Sequence, residues 1–243
     1  MAIRLANRRF APSLVGTVLA IVGVVSFVQL GAWQLRRAEQ KEALQHAYAA
    51  GQESTVELTA QNVEALPRYQ RVETRGHYLP ERQVLLDNMP SEQGRPGFRV
   101  LTPFELSEGG YVLVDRGWIP MNDREIDPST LEVDRSARTV RGVLDELPRP
   151  GLRLSDGREQ APTAWPRIMN FPEQDELESA LGIPLARRIV LLDSNEPDGF
   201  ERQWRTPNAF GPERHVGYAI QWFAFALVAV VLYIVMSFRR ETR

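Results

Sequence analysis

Two long stretches without a charged residue stand at opposite ends of this chain. They run from Phe10 to Leu35 and from Val216 to Phe238, whereas charged residues are frequent between them. As helices they would span roughly 39 and 34 Å at about 1.5 Å per residue, and a hydrocarbon core is roughly 30 Å thick. The pattern therefore predicts two transmembrane helices, at residues 10–33 and 215–238, with a domain at residues 34–214 between them.

The first apolar stretch also has features of a cleaved signal peptide, because Arg4, Arg8 and Arg9 precede it. Its apolar run is longer than a typical signal core, and no small-x-small cleavage site stands cleanly at its end, where the bulky Trp33 and Gln34 follow Gly31 and Ala32. A retained membrane anchor is the favoured interpretation.

Arginine placement predicts the orientation. Short basic flanks stay in the cytoplasm, and both residues 1–9 and residues 239–243 are such flanks. The intervening segment carries a net charge of about −7, and a long loop crosses the membrane largely regardless of charge. We expect cytoplasmic termini, a periplasmic domain and contact with membrane lipid. An acidic domain also argues against nucleic-acid binding.

The middle of the chain is punctuated by Gly, Pro and Asp, which is typical of short strands. Residues 107–110, Ser-Glu-Gly-Gly, predict a hairpin turn. The first helix is expected to continue to about Gly51, and a short helix is predicted at Pro172–Leu181 with Pro172 in its first turn. The fold class is thus two transmembrane helices flanking a β-rich α+β extracytoplasmic domain. The predicted strands are Tyr69–Tyr78, Gln83–Asn88, Phe98–Glu105, Tyr111–Ile119, Thr139–Glu146 and Arg188–Asp193.

Residue types that are missing narrow the possible chemistry. The chain has no cysteine and three histidines, so disulfides, a thiol copper carrier and a dedicated soft-metal site are not expected. Phosphate-binding loops, nucleophile elbows and zinc-protease motifs are absent from the sequence. We therefore expect a protein that is not an enzyme.

His215 is the strongest candidate for a binding residue. It stands at the start of the second apolar stretch, and Tyr218 and Trp222 follow it on the same helix face. A helix N-terminus favours the neutral imidazole, which is the form that binds a metal. Physical reasoning alone leaves two roles open, a metal ligand and a polar cap of the helix.

Gln29 and Gln221 lie at similar depths inside the two apolar stretches. A hydrogen bond between them would satisfy two amides in lipid. Gly16, Ala20 and Gly23 form a face of small residues on the first helix, which is suited to a close helix contact.

The strand at Val112–Pro120 contains the unusual run Asp115-Arg116-Gly117-Trp118. Successive side chains point to opposite faces of a strand, Gly117 permits a bulge, and Pro120 ends the strand. A structural role is favoured for this run.

Four blocks in order along the chain resemble one known family. They are Leu30-Gly31-x-Trp33-Gln34-x-x-Arg37 with Lys41, Gly97-Phe98-x-Val100-x-Thr102-Pro103-Phe104, Val112 to Pro120, and His215-x-x-Tyr218-Ala219-x-Gln221-Trp222-Phe223. Together they are similar to the Surf1 family of cytochrome c oxidase assembly factors. The family's strand motif usually has Asn where this chain has Asp115, which puts any amide-specific hydrogen bond there in doubt.

The resemblance implies that the protein helps to place haem a into the catalytic subunit of cytochrome c oxidase. It implies that His215 contacts the haem iron. Tyr218 and Trp222 are then expected to flank the porphyrin, and Gln29 and Gln221 to bind polar substituents of haem a. The expected partners are the catalytic subunit and also a haem a synthase. The short N-terminal flank favours a bacterial inner-membrane protein over a mitochondrial one.

Two other functions remain open on the sequence. A haem-independent scaffold would stabilise an oxidase subunit without binding the cofactor. A membrane sensor is disfavoured because the short tail after Phe238 leaves no room for an output domain.

Overall fold

The protein is described by a computed structural model, which covers residues 4–5, 8–121, 126, 128–148, 165–204 and 211–240. The chain divides into two compact units. The first, residues 1–46 with 207–243, contains two long helices and is called the helix pair. The second, residues 47–206, contains most of the strands and is called the sheet domain.

The helices of the helix pair are α3, Pro212–Ser237, and the part of α1, Leu14–Gln52, that ends at His46. Only 6% of the most apolar part of α1 and 11% of that of α3 are buried within the protein. A core helix of a soluble protein would be mostly buried, whereas these helices expose apolar side chains along their length. Both are long and apolar enough to cross a membrane. The predicted pair of flanking helices is confirmed, and α1 continues past the apolar stretch as expected.

The two helices pack antiparallel along their apolar lengths. The hydroxyls of Thr17 and Tyr233 lie 2.8 Å apart, and further along α1 the ring of Phe27 stacks on Trp222 at 5.8 Å. Three short strands accompany them, β1 (Arg4–Leu5), β2 (Arg8–Phe10) and β11 (Phe238–Arg240), which form a small antiparallel sheet in the order β1-β2-β11.

The sheet domain is built around a closed ring of five strands, which is a small β-barrel. In ring order these are β4 (Arg71–Tyr78), β8 (Arg138–Glu146), β10 (Arg188–Leu192), β7 (Tyr111–Pro120) and β6 (Gly97–Leu106), and β6 pairs back onto β4. All neighbours in the ring are antiparallel except β10 and β7. Three short strands extend the sheet, β3 (Thr55–Glu57) beside β4, and then β5 (Val84–Leu86) and β9 (Arg167–Met169) beyond β6.

The ring has a filled core, as a small barrel must. One face of each strand supplies it, because successive side chains of a strand point to opposite faces. The buried members include Val72, Tyr78, Phe104, Val112, Val114, Val140, Leu144, Val190 and Leu192. The other face of β7 and β10 packs with β5 against α2, Gln174–Leu181, through Leu177 and Leu181.

All six predicted strands and the β6–β7 hairpin are confirmed, with small differences at their ends. The prediction that Pro172 lies in the first turn of α2 is wrong. Glu173 caps the helix, with reciprocal bonds between Glu173 and Glu176, so Pro172 precedes it. The helix ends at Gly182 as expected, in the left-handed conformation that glycine tolerates.

Candidate functional site

His215 forms a side-chain hydrogen bond across the helix pair. Its Nδ1 lies 2.8 Å from Oε1 of Gln34, which joins the first turn of α3 to α1. Both side chains are half-buried. No other hydrogen bond or ion pair involves the His215 ring within the described part of the chain.

This bond selects one form of the imidazole. An amide oxygen accepts a hydrogen bond, so Nδ1 of a neutral His215 carries the proton and donates it to Gln34. The lone pair then resides on Nε2. A fixed Nδ1–H and a free Nε2 lone pair are the features by which a second residue prepares a histidine to bind a metal.

Aromatic side chains continue the same side of the helix pair. Phe27 stacks on Trp222 with an angle of 24° between the rings, and Phe225 lies within 6 Å of both of them. Tyr218 is three residues after His215 and four before Trp222, so it shares their face, and it is 48% exposed. We call this surface, formed by Phe27, Gln34, His215, Tyr218, Trp222 and Phe225, the His215 flank.

Gln29 and Gln221 do not belong to the His215 flank. Both are exposed, and no hydrogen bond joins them among the described residues. Successive residues of an α-helix are rotated by about 100° about the helix axis. Gln29 is therefore about 140° around α1 from Gln34, and Gln221 is about 120° around α3 from His215. The hydrogen bond expected between these two amides is therefore absent, and Gln34 and His215 form the polar link instead.

The two helices are in close contact at Gly31. A Cβ added to Gly31 would lie 2.6 Å from the Phe223 ring, whereas one added to Gly23 meets nothing within 4 Å. Ala219 and Ala226 are the buried small residues on α3. Contact through a small residue is thus present at Gly31, whereas Gly23 of the predicted face leaves open space for a Cβ.

In the sheet domain, Asp115 and Arg116 point to opposite faces of β7, as expected. Arg116 is 1% exposed and lies at the end of the barrel core. Its guanidinium donates to the Asp198 carbonyl at 2.6 Å, the Leu131 carbonyl at 2.9 Å and Gln83 Oε1 at 3.0 Å. Burial lowers the pKa of Arg116, although nearby Tyr78 and Asp198 oppose this. These bonds tie three chain segments to β7 and make Arg116 a structural residue.

Asp115 faces away from the barrel core and forms a buried ion pair with Arg99. Burial raises the pKa of Asp115, against the opposing effects of Arg99 and of the Gly117 N–H. Gly117 adopts φ 116°, and at this point two residues of β7 lie opposite one residue of β6. The predicted bulge is therefore present, and β7 ends at Pro120 as expected.

A cavity of about 530 Å³ opens beside this ion pair. Trp118 and Trp204 line it, and Arg95 and Arg99 lie over their respective rings at 4.7 and 4.8 Å. Its lining cations are already paired, Arg68 with Asp145 and Arg99 with Asp115. The cavity therefore shows no preference for an anion.

The other two histidines form ordinary surface contacts. His77 lies 3.1 Å from Glu105, and His46 lies 3.9 Å from Glu42 on α1. No group of three or more His, Cys, Asp or Glu residues that could hold a metal occurs among the described residues. His215 thus remains the candidate ligand, and it would act as a single protein ligand of a metal already held by another molecule.

The chain is similar to a known protein family over most of its length. A model of the SURF1 family matches residues 21–227, a range that includes the blocks around Gln34, β6, β7 and His215. The chain belongs to the SURF1 family. SURF1 proteins are assembly factors for cytochrome oxidase, and the family is not a catalytic one.

Named SURF1 relatives are distant in sequence but match nearly end to end. A SURF1-like protein of Rickettsia felis is 25% identical over 225 residues, covering 90% of this chain and 95% of its own length. An uncharacterized SURF1-like protein of Mycobacterium bovis is 25% identical, with coverages of 90% and 82%. One from Monosiga brevicollis is 26% identical, with coverages of 89% and 85%. The sequence similarity to these relatives therefore extends over about nine-tenths of this chain.

Proposed function

We propose that this SURF1 protein binds haem a at the His215 flank and aids its insertion into the catalytic subunit of cytochrome c oxidase. The observation that carries the proposal is the 2.8 Å contact between His215 Nδ1 and Gln34 Oε1. It leaves the Nε2 lone pair of His215 without a partner among the described residues, at the boundary of an apolar helix pair.

The residues of the His215 flank fit an iron porphyrin. A haem brings its iron within a tetrapyrrole, so it needs one or two axial protein ligands and not a cluster of three or four. Neutral imidazole is a common axial ligand. Trp222 and the half-exposed Tyr218 offer flat apolar surfaces beside it.

Each residue has a distinct role in this proposal. His215 would ligate the iron through Nε2, and Gln34 would orient the imidazole by accepting its Nδ1–H. Trp222 and Tyr218 would contact the porphyrin faces. When bound, haem a supplies the redox centre that the oxidase needs, and this protein only holds and transfers it. A single protein ligand suits a transient carrier, because the cofactor must leave again.

Gln29 and Gln221 receive no role in this proposal. Both are exposed and turn away from the His215 flank, so the geometry gives no support to the expectation that they bind polar substituents of haem a.

We also propose that both termini face the bacterial cytoplasm and that the sheet domain lies in the periplasm, where it contacts the oxidase. The basic residues before and after the two apolar stretches support this orientation. A periplasm-specific reporter fused after Arg243 is expected to be inactive, and an active fusion would contradict the orientation.

The decisive experiment compares His215→Ala with His46→Ala. Both variants are purified at matched protein level from cells that make haem a. His215→Ala is expected to lose or shift the haem spectrum, because the iron loses its ligand. His46→Ala is expected to keep it, because His46 is exposed and bonded only to Glu42 on its own helix.

Three outcomes separate the functions. An unchanged spectrum in His215→Ala would eliminate the ligand role. Wild-type protein without any haem, together with reduced oxidase in a deletion strain, would favour the haem-independent scaffold. Normal oxidase levels in a deletion strain that lacks a second SURF1 protein would contradict both functions.

A further inference from the structure

One face of α1 changes character along its length. Phe27, Leu30, Gln34, Arg37 and Lys41 follow one another at alternating spacings of three and four residues, so they form a single stripe. Phe27 contacts Trp222 and Gln34 contacts His215, so the stripe borders the His215 flank. Beyond Gln34 it carries two cations, about one and two helical turns further on.

These two cations have no acidic partner among the described residues. The Arg37 guanidinium donates to the neutral amide of Gln40 at 3.0 Å, and no ion pair involves Lys41. Glu42, the acidic residue next to Lys41 in sequence, faces His46 at 3.9 Å. The charge of the stripe is therefore not neutralised by any acidic residue that the structure describes.

The placement of two cations four residues apart has a cost. Like charges at this spacing on a helix repel one another and destabilise it. An anion held between them would turn the repulsion into two attractions. The stripe thus presents an apolar part, an amide bonded to a histidine and an unneutralised cationic part, in that order.

We propose that Arg37 and Lys41 bind the carboxylates of a flat amphipathic ligand whose apolar body lies on the His215 flank. This inference rests on the proposed function, because a haem carries both an apolar macrocycle and carboxylate side chains. It adds an anchoring site beyond the Gln34–His215 end of the flank, and neither of its two residues is a metal ligand. Carboxylates bound there would fix the direction in which the ligand enters and leaves.

The test uses haemin and its dimethyl ester, which share the macrocycle but differ in that the ester has no free carboxylates. The full-length chain is purified in a neutral detergent, as wild type, as the double variant Arg37→Gln with Lys41→Gln, and as Arg36→Gln. Arg36 is the matched control, because it turns about 100° from Arg37 and lies outside the stripe. Glutamine has a helix propensity close to that of Arg and Lys, so α1 is expected to form in every variant.

The double variant is expected to bind haemin about tenfold more weakly than wild type, since two partly exposed ion pairs are lost. Its affinity for the dimethyl ester should equal that of wild type, and Arg36→Gln should match wild type with both probes. Dissociation constants come from absorbance titrations.

Several results would overturn the proposal. The double variant binding both probes with equal loss would show that the cations do not recognise carboxylates, and an equal loss in Arg36→Gln would show a general charge effect. Wild-type affinity of the double variant for haemin, with reduced retention of phosphatidylglycerol, would assign the cations to lipid phosphate. In that case the haem absorbance spectrum of the double variant, which depends on His215, should equal that of wild type. If wild-type protein binds no haemin at all, the proposed function fails as well.

Discussion

The sheet domain contains a buried polar side chain, Arg116, and the helix pair a half-buried one, His215. The two side chains differ in how many of their polar atoms are hydrogen-bonded. In the sheet domain the Arg116 guanidinium donates to three oxygens from separate segments of the chain. In the helix pair the His215 ring makes one hydrogen bond and keeps one nitrogen without a partner among the described residues. A polar group whose bonds are all made inside the protein supports the fold, whereas one with an open position is available to a ligand.

The same contrast holds for apolar side chains. The barrel core buries Val112, Val114, Phe104 and Leu144 completely. The helix pair exposes most of its apolar residues, including Leu19, Val25 and Leu227. Burial within the protein stabilises the first set, whereas only a membrane can remove the second set from water. Stability of the sheet domain is therefore a property of the chain, and stability of the helix pair depends on its lipid surroundings.

The largest effect is expected from Arg116→Met, which removes the donor shared by Gln83, Leu131 and Asp198. Leaving these buried acceptors unpaired should lower the free energy of unfolding of the sheet domain by about 3–5 kcal/mol. The measurement is urea unfolding of the full chain followed by far-UV circular dichroism.

Arg135→Met is the control for that change. Arg135 is exposed and pairs with Glu81 at 2.7 Å on the surface, so its loss should cost at most about 1 kcal/mol. Equal destabilisation by the two variants would show that Arg116 is not the structural residue described above.

A second effect, of about 1–3 kcal/mol, is expected in the helix pair from Gly31→Leu. The new side chain would collide with the Phe223 ring and separate α1 from α3 near Gln34 and His215. Gly23→Leu should be tolerated, because a Cβ at that position meets nothing within 4 Å. Cysteine cross-linking between the two helices in lipid nanodiscs measures their separation. Loss of cross-linking in both variants, or in neither, would contradict the placement of the close contact.

A third, smaller effect concerns pH. The pKa of Asp115 is raised by burial, so the folded state holds this proton more tightly than the unfolded state. The free energy of unfolding should then fall as the pH rises from the ordinary carboxyl pKa to the raised one, and stay lower above it.

In the wild-type protein the Gly117 N–H donates to Asp115 Oδ1 at 3.0 Å. Asp115→Asn removes the titrating carboxyl group and retains an oxygen that can accept this bond. Its stability near neutral pH should lie within about 1 kcal/mol of wild type, because burial of the Asp115 carboxylate offsets much of its attraction to Arg99. Urea unfolding between about pH 4 and pH 8 should show a smaller pH dependence in the variant. Identical pH profiles would assign the dependence to another group.

Much of the fold could be predicted from the sequence, because its signals are local. The continuous apolar runs around Val112 and Val190 indicate strands, and the glycines before Tyr111 indicate the hairpin. The edge strands β3 and β9 were missed, since three residues such as Thr55–Glu57 are too few to show a period of two. Closure of the ring depends on pairings between distant segments, such as β7 with β10, which no local pattern encodes.

The candidate site was predicted in part. His215 was identified from its position and from the resemblance to the family, but its partner Gln34 was missed. Depth in the membrane suggested Gln29 and Gln221 as a pair, yet depth does not fix rotation about a helix axis. The signal that could have found Gln34 is its place at the end of the apolar stretch, level with His215 in an antiparallel pair. The packing of Phe27 on Trp222 fixes that rotation.

The smallest expected effect is the difference in stability between leucine substitutions of two glutamines on α1, Gln34 and Gln29. Gln34→Leu removes the acceptor of the His215 Nδ1–H and should destabilise the helix pair by about 0.6 kcal/mol, up to about 1.7. Gln29→Leu should be neutral or slightly stabilising, because Gln29 is exposed in an apolar stretch with no hydrogen bond among the described residues. Gln34→Glu should keep the link, because a carboxylate oxygen also accepts the Nδ1–H.

Thermal unfolding in detergent measures stability, and ¹⁵N NMR of His215 reports its tautomer. A mixed tautomer only in Gln34→Leu is the expected result. The same tautomer in all three variants would show that Gln34 does not orient His215, and that the free Nε2 is set by another group.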